Sequence, residues 1–455
     1  MGPNGPATGG SAAGGGGMIA QIAHLGWTLG AFVLALSIIV TVHEYGHYII
    51  GRLSGIKVEV FSLGFGPRLI ARRDRHGTVW QLAAIPLGGY VRFLGDANAA
   101  SAGSVAVDPA RARQSLTGAP LWARFATVAA GPVFNFILSI LVFGGMAIWQ
   151  GMPTPEPQVG RLHPTPPGVT LGLQSGDRIL ALEGRPVTDW PSLARIAADL
   201  PPAPAYAWTV GRDGATATVQ GPSPQPALIT GVAPRSAAAD AGLRAGDVVL
   251  AIDGAPVARF DELRDLVVRA EGRPVLLRVW REGAGEADYT LTARQQDLPT
   301  ATGYEKRWLI GVTGGGTYFD PATRPTGVGE ALGIGAARTW DIIASSVSGL
   351  WAMASGQIGS CNLGGAISIA ESTGQAASAG GMDFIWWIAV LSAAIGFLNL
   401  LPVPILDGGH LMFYAYEAVA GRRPSARVLD VLSALGMALV LALMIFGLTN
   451  DLFCP

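Results

Sequence analysis

The chain has 455 residues, half of them hydrophobic and only 14% charged, and its mean hydropathy is +0.38. That is too apolar for an ordinary soluble enzyme and points to membrane spans, with a lipid bilayer as the expected surroundings. A net charge of −1 offers no basic excess with which to bind nucleic acid, so nucleic acid is not an expected partner. Cys361 and Cys454 make neither a metal-ligand cluster nor a disulfide framework. Two unrelated thiols are expected, because a bridge requires both to face an oxidising compartment.

Residues 1–17, MGPNGPATGGSAAGGGG, are Gly-rich without an apolar period and read as a disordered leader or remnant, with Met18 a natural start. Four segments reach the roughly 20 apolar residues of a membrane span. They lie near 27–50, 125–149, 382–405 and 431–448, and the only charged residue of the first is Glu44. A weaker stretch, 331–358, keeps Trp340, Ile343, Val347, Leu350 and Trp351 on one helical stripe. That pattern suits a helix lying along a membrane surface or against the bundle. Arg52, Lys57, Arg68, Arg72, Arg73 and further arginines outnumber the acids between the first two spans, and Arg422, Arg423 and Arg427 sit between the last two. Both connections are therefore expected in the cytoplasm, with the middle region outside.

That middle region repeats itself. GLQSGDRILALEGRPVTDWPSL (172–193) and GLRAGDVVLAIDGAPVARFDEL (242–263) match at 10 of 22 positions, 70 residues apart. The repeated Gly-Asp turn, apolar strand, Gly turn and helix start are similar to a tandem pair of bacterial PDZ domains, placed at 157–222 and 226–297. Such folds add a peptide as a strand at a sheet edge. Ile229–Ala233 is the candidate strand in the second copy, while Pro164, Pro166 and Pro167 restrict addition in the first.

The chemistry lies elsewhere. In His43-Glu44-Tyr45-Gly46-His47 the histidines are four residues apart, so on a helix they share a face and can ligate one ion. Zinc suits imidazole nitrogen, and a catalytic site takes three protein ligands with a position open for water. Glu44 is the natural general base for that water. Ionisable groups near hydrocarbon are costly and are functional by default. Asp407, in Asn399-Leu-Leu-Pro-Val-Pro-Ile-Leu-Asp407-Gly-Gly-His410, is the best third ligand. Pro402 and Pro404 unwind the helix there, and Gly408-Gly409 lets the chain turn. Broken backbone at membrane depth is tolerated where it lines a cavity or is buried in protein. His410 is the rival ligand, more plausible as an interfacial residue.

These two motifs on separate spans resemble the site-2 protease family of intramembrane metalloproteases, in particular the bacterial sigma-E-regulating type with tandem PDZ domains. The resemblance covers nearly all of 18–455. It implies zinc on His43, His47 and Asp407, a substrate contact at Asn399, and a multi-pass protein of the bacterial inner membrane. Single-pass membrane proteins would be its substrates: anti-sigma factors after a first cut, and remnant signal peptides. Phe61-Ser-Leu-Gly64-Phe-Gly66-Pro67 resembles the family's re-entrant G-x-G loop, which places Gly64 and Gly66 in a tight hairpin beside the substrate. Val79–Ile85 and Gly89–Phe93 look like strands whose exposed edge could hold a substrate extended. Gly131-Pro-Val-Phe-Asn135 resembles the family's G-P-x-x-N element, where Asn135 is expected to hydrogen-bond between helices rather than catalyse. Leu363-Gly-Gly-Ala-Ile-Ser-Ile-Ala370 departs from the Ser-Gly-Pro of relatives.

The expected architecture is a polytopic α-helical membrane protein with a membrane-associated β-hairpin or sheet and two periplasmic α+β PDZ domains. Its parts are the leader (1–17), an N-terminal membrane region (18–150), the two PDZ domains, a periplasmic connector with the amphipathic helix (298–380) and a C-terminal membrane region (381–455). A peptide-binding membrane scaffold with a non-catalytic metal site is the competing reading, and the intact Glu44 argues against it. A transporter is disfavoured, because the polar positions gather at one site without repeating across the spans.

Overall fold

The computed structural model describes residues 14–96, 107–300, 303–359, 361 and 364–454. Its helices run α1 (Gly14–Leu53), α2 (Leu121–Gln150), α3 (Trp190–Asp199), α4 (Ala237–Asp240), α5 (Phe260–Arg269), α6 (Val328–Ala354), α7 (Ala366–Ala379), α8 (Gly381–Asn399), α9 (Asp407–Ala420) and α10 (Ala426–Phe453). Residues 1–13 of the expected leader lie outside the described residues. Its last four glycines do not stay outside the fold: they open α1. Extending a helix already nucleated gains a hydrogen bond for each residue ordered, which offsets glycine's penalty of about 1 kcal/mol. Among the described residues, four helical segments are long and apolar enough to cross a membrane: Ile22–Leu53, Leu121–Gln150, Gly381–Asn399 and Arg427–Phe453.

The chain divides into two compact units, the first formed by residues up to Val142 together with Thr339–Ile343 and Gly364–Asp451. Here small residues let the helices approach closely. A Cβ on Gly46 of α1 would lie 2.5 Å from the Ala130 carbonyl oxygen of α2, and Ala35, Ile39 and Ile388 join α1 to α8. Between α1 and α2 lie two long strands, β1 (Val58–Arg73) and β2 (Val79–Phe93). Each bends, so residues 58–63 are flanked by 79–82 on one side and 89–93 on the other, while 68–73 pair with 79–83. Gly64 and Gly66, at φ +85° and +84°, make the bend in β1, where Gly64 passes too close to the Ile85 carbonyl for any side chain. Phe65, Leu69, Ile70, Ile85 and Leu87 are exposed on this sheet, an apolar surface suited to lipid.

The connector after 297 carries more than one amphipathic helix. α6 leaves Trp340, Val347 and Trp351 exposed, and α7 follows, packed against α1 and α8. Asp451 near the end of α10 accepts hydrogen bonds from the Gly365 and Ile367 amides at 2.8 and 2.9 Å, capping the start of α7.

The second unit, Phe143–Arg338 with Ala344–Leu363 and Leu452–Pro455, contains two similar α+β modules. In the first, the sheet order is Arg185–Pro186, Arg178–Leu182, Tyr206–Arg212, Ala215–Gly221, with α3 packed on it. In the second it is Ala255–Pro256, Val248–Ile252, Pro274–Arg281, Gly285–Thr292, with α5. The repeated Gly-Asp has a physical reason. Asp177 accepts the Gln174 amide at 2.8 Å and two arms of Arg212, each at 2.7 Å, and Asp247 does the same with Arg244's amide and Arg281. Arg259, 1% exposed, joins the modules by donating to the Ala197 and Leu200 carbonyls at the end of α3.

Two expectations need correcting in this unit. Cys361 and Cys454 are bonded to each other rather than being unrelated thiols. A separation of 93 residues hides that proximity from sequence. The strand Ile229–Val232 is also not free as expected: Val312–Gly314 pairs along it, and Ile229 exchanges hydrogen bonds with Gly246 and Asp247. The chain returning after residue 310 likewise pairs Phe319–Pro321 with Val159–Leu162, and Thr323–Arg324 with Met152–Pro153. A short returning strand 80 or more residues downstream carries no local signal of its partner.

The Arg212 hydrogen bonds hold the Asp177 carboxyl below its usual 3.8. A carboxylate with a depressed folded-state pKa stabilises fully above its ordinary value, and that stability is lost as pH falls through the lowered one. Arg212→Ala is expected to lower the urea midpoint for protease resistance of the first module at pH 7, and to bring it no lower than wild type in strong acid. Equal midpoints at pH 7 would refute the pairing's contribution.

Candidate metal centre

On α1 the four-residue spacing stacks His43 and His47, both 9% exposed, with their Nε2 atoms 3.2 Å apart. Asp407 comes from the far end of the chain, and its Oδ2 lies 3.1 Å from His43 Nε2 and 3.5 Å from His47 Nε2. A tetrahedral ion with ligand bonds of about 2.0–2.2 Å holds neighbouring ligand atoms about 3.3–3.6 Å apart, so the triangle has the size of three corners of such a site. Asp407 Oδ2 is buried and has no hydrogen-bond donor of its own. A buried carboxylate oxygen left so is costly, and a cation satisfies it. By size and donor chemistry the trio fits zinc. Among the described residues this is the one cluster of three or more His, Cys, Asp or Glu arranged to hold a metal.

The outer nitrogens are also engaged. His47 Nδ1 donates to the Thr127 carbonyl of α2 at 2.8 Å, which leaves its Nε2 lone pair for a metal. His43 Nδ1 faces the Asn135 amide at 3.3 Å, while Asn135 Oδ1 is buried and without a partner. A half-turn of that amide brings Oδ1 onto Nδ1–H and satisfies both groups. Asn135 is thus the interhelical hydrogen-bonder expected from the sequence, and its bond orients a ring of the trio. Gly131 went unassigned in the sequence, although its G-P-x-x-N setting marked it. A Cβ there would lie 2.3 Å from His47 Nε2 and 2.7 Å from His43 Nε2.

The break before Asp407 differs from the expectation in two details. α8 stops at Asn399, six residues before the predicted end, because Pro402 and Pro404 cannot continue a helix. Asp407 is then not an unwound end but the first residue of α9, where the helix N-terminus favours a negative charge. Gly408 and Gly409 are not turn glycines. They lie within α9, where a Cβ on either would come within 2.3 Å of a carbonyl oxygen of 400–403.

A cavity of about 640 Å³ opens beside the trio, lined among others by Glu44, Gly89, Tyr90, Val91, Asn399 and His410. Glu44 shares it with both histidines, and the outer segment 89–93 of β2 runs past it, the Val91 amide within hydrogen-bond reach of the Glu44 carboxylate. Asn399 donates one side-chain N–H to the Ile395 carbonyl at 3.0 Å, which leaves its second N–H and its amide oxygen to act. His410 lines the cavity without joining the trio. Gly64 and Gly66, expected beside the substrate, are in the sheet's bend and are not among the cavity's lining residues.

The family model for peptidase family M50 matches residues 31–443. The chain belongs to peptidase family M50. It is 34% identical over 433 residues to a Rhizobium meliloti (strain 1021) protein that bears a zinc-metalloprotease name, covering 94% of this chain and 97% of that one. It is 31% identical over 466 residues to the regulator of sigma-E protease RseP of Escherichia coli K12, covering 93% and 98%. RseP of Salmonella typhimurium (strain 14028s) is also 31% identical, over 457 residues. This M50 peptidase is a site-2-type metalloprotease of a bacterial membrane, and zinc is its cofactor.

Gly131→Ala is expected to keep the fold, since alanine favours α2, and to weaken zinc binding about 10–100-fold, the range for disturbing a metal's immediate surroundings. Zinc per protein after dialysis against a chelator checks this, and wild-type retention would contradict it.

Proposed function

We propose that His43, His47 and Asp407 hold the catalytic zinc and that Glu44 is the general base of an endopeptidase acting at membrane depth. The convergence of the three donor atoms beside Glu44, on helices apolar enough to span a bilayer, carries this reading. Bound zinc supplies Lewis-acid polarisation of the scissile carbonyl and lowers the pKa of the attacking water. Glu44 takes that water's proton and returns it to the departing amide nitrogen. A helical peptide bond is shielded by its own turn, so the substrate is extended, its backbone laid along residues 89–93 of β2. Asn399 contacts the strand with its side-chain amide. Gly64 and Gly66 serve the substrate indirectly, by allowing the bend that presents this edge.

Single-pass membrane proteins are the substrates this geometry suits. The relatives' sigma-E regulator name favours anti-sigma factors after a first cut, with remnant signal peptides a second class. The protein then lies in the inner membrane with the site toward the cytoplasm and the two modules, read as PDZ domains at 157–222 and 226–297, in the periplasm. The Cys361–Cys454 bond supports an oxidising location for the ends it joins. A scaffold with a non-catalytic metal accounts neither for Glu44 nor for the membership of a peptidase family.

Glu44→Gln is expected to keep zinc and fold while cutting turnover of a model transmembrane substrate by about 10²–10⁴-fold, the usual loss of a general base. Near wild-type turnover would remove Glu44 from that role.

The modules are proposed to refuse substrates whose periplasmic part is still intact. Because Pro153 pairs with Thr323, residues 154–322 can be excised and the two strands joined by a short turn. Under a size filter the excised enzyme cuts a full-length substrate that the intact enzyme refuses. Slower cleavage of a trimmed substrate as well would instead mean that the modules capture a new C-terminus. Equal rates on long and trimmed substrates by the intact enzyme would end both versions.

A further inference from the structure

The carboxylate of Asp407 is delivered by a short helix that hangs from a proline-broken link, and something must fix that helix. At its other end, Glu417 accepts two hydrogen bonds from Arg124 of α2, Nη1 to Oε2 at 2.8 Å and Nη2 to Oε1 at 2.7 Å. Arg124 is 5% exposed, and its Nε donates to the Ala119 carbonyl at 3.1 Å. Its guanidinium also lies 5.2 Å from the Tyr414 ring centroid, one turn back on α9. Arg423, just past the left-handed Gly421 that ends α9, adds a bond to Glu417 Oε1 at 3.1 Å and another to the Thr117 carbonyl at 2.8 Å.

α2 is the helix whose Thr127 carbonyl and Asn135 amide hold the outer nitrogens of His47 and His43. Ten residues separate Glu417 from Asp407, about 15 Å of helix. α2 therefore bears on α9 directly at this fork and, through the rings of His43 and His47, on the metal trio about 15 Å away along α9. A bidentate arginine–carboxylate pair whose arginine is buried is directional, so it fixes orientation as well as distance.

We propose that Arg124 and Glu417 are positioning residues for the zinc site: a strut that sets α9 against α2 so that Asp407 Oδ2 stays in register with the two histidines. The strut rests on Asp407 being the third ligand, as proposed above. Both residues line the cavity that the trio borders, but neither belongs to the trio, and they act on the metal site through the helix they hold.

The test uses the full-length protein in detergent, with Glu417→Gln, Arg124→Lys, the charge-swapped double Arg124→Glu/Glu417→Arg, and Asp407→Ala. Zinc affinity is read by chelator competition, and amide hydrogen exchange of α8 and α9 is read on the metal-free protein. Glu417→Gln is expected to weaken zinc binding about 10–100-fold, to speed exchange in α9 and not in α8, and to lower kcat with KM held. Arg124→Lys, which keeps the charge and loses the fork, falls in between, and the charge swap recovers part of the loss. Should Glu417→Gln fail to fold, Arg124→Lys decides alone. A folded Arg124→Lys with wild-type zinc affinity and wild-type α9 exchange overturns the strut. If Asp407→Ala loses zinc while the strut variants keep it, the strut is wrong and the ligand assignment stands. If Asp407→Ala keeps zinc, the ligand assignment falls and the strut with it.

Discussion

A carboxylate and two imidazoles set among apolar helices gain little compensation from bulk water, so most of their polar atoms must find partners within the protein or on an ion. That constraint organises the membrane unit. His43, His47 and Asp407 face one another across distances of 3.1 to 3.5 Å, and the sides of the imidazoles turned away from this point are bound to α2. Glycine at 46 and at 131 lets α1 and α2 approach closely enough to provide those bonds. A side chain at either position would crowd the imidazoles or the facing backbone and disturb those bonds.

The same constraint explains the break between α8 and α9. Proline at 402 and 404 frees backbone groups from helical bonding, and at membrane depth such groups must be buried in protein. Gly408 and Gly409 allow it by letting the first turn of α9 fold directly against the carbonyls of 400–403. Asp407 therefore arrives on a helix N-terminus with its direction set, rather than on a loose end. Residues 89–93 of β2 border the cavity beside Glu44, where an extended substrate is proposed to lie.

Much of this was legible in the sequence because the signals were local. Histidines at i and i+4 share a helical face wherever the helix is placed, and the Pro-x-Pro before Asp407 announces irregular backbone around a polar residue. The repeated Gly-Asp turns gave the two modules, although not the reason for the aspartates, since Arg212 and Arg281 follow about 35 residues later. What stayed hidden depends on distant pairing. Nothing near Cys361 points to Cys454. The short run Val312–Gly314 is too brief to read as a strand, yet it takes the edge of Ile229–Val232. Arg124 and Glu417 lie 293 residues apart and carry no local sign of each other until the fold brings them together. Gly64 and Gly66 were legible as turn formers, and both have the positive φ that such a turn needs.

The account rests on which atoms hold the zinc. X-ray absorption at the zinc edge, on the purified metal-loaded enzyme and on Asp407→Ala, tests this most directly. The account predicts two imidazole nitrogens and a carboxylate oxygen in the wild type, no sulfur, and loss of the carboxylate scatterer or of the metal in the variant. A third imidazole in the wild type, with an unchanged spectrum in Asp407→Ala, would contradict it and transfer the ligand to His410.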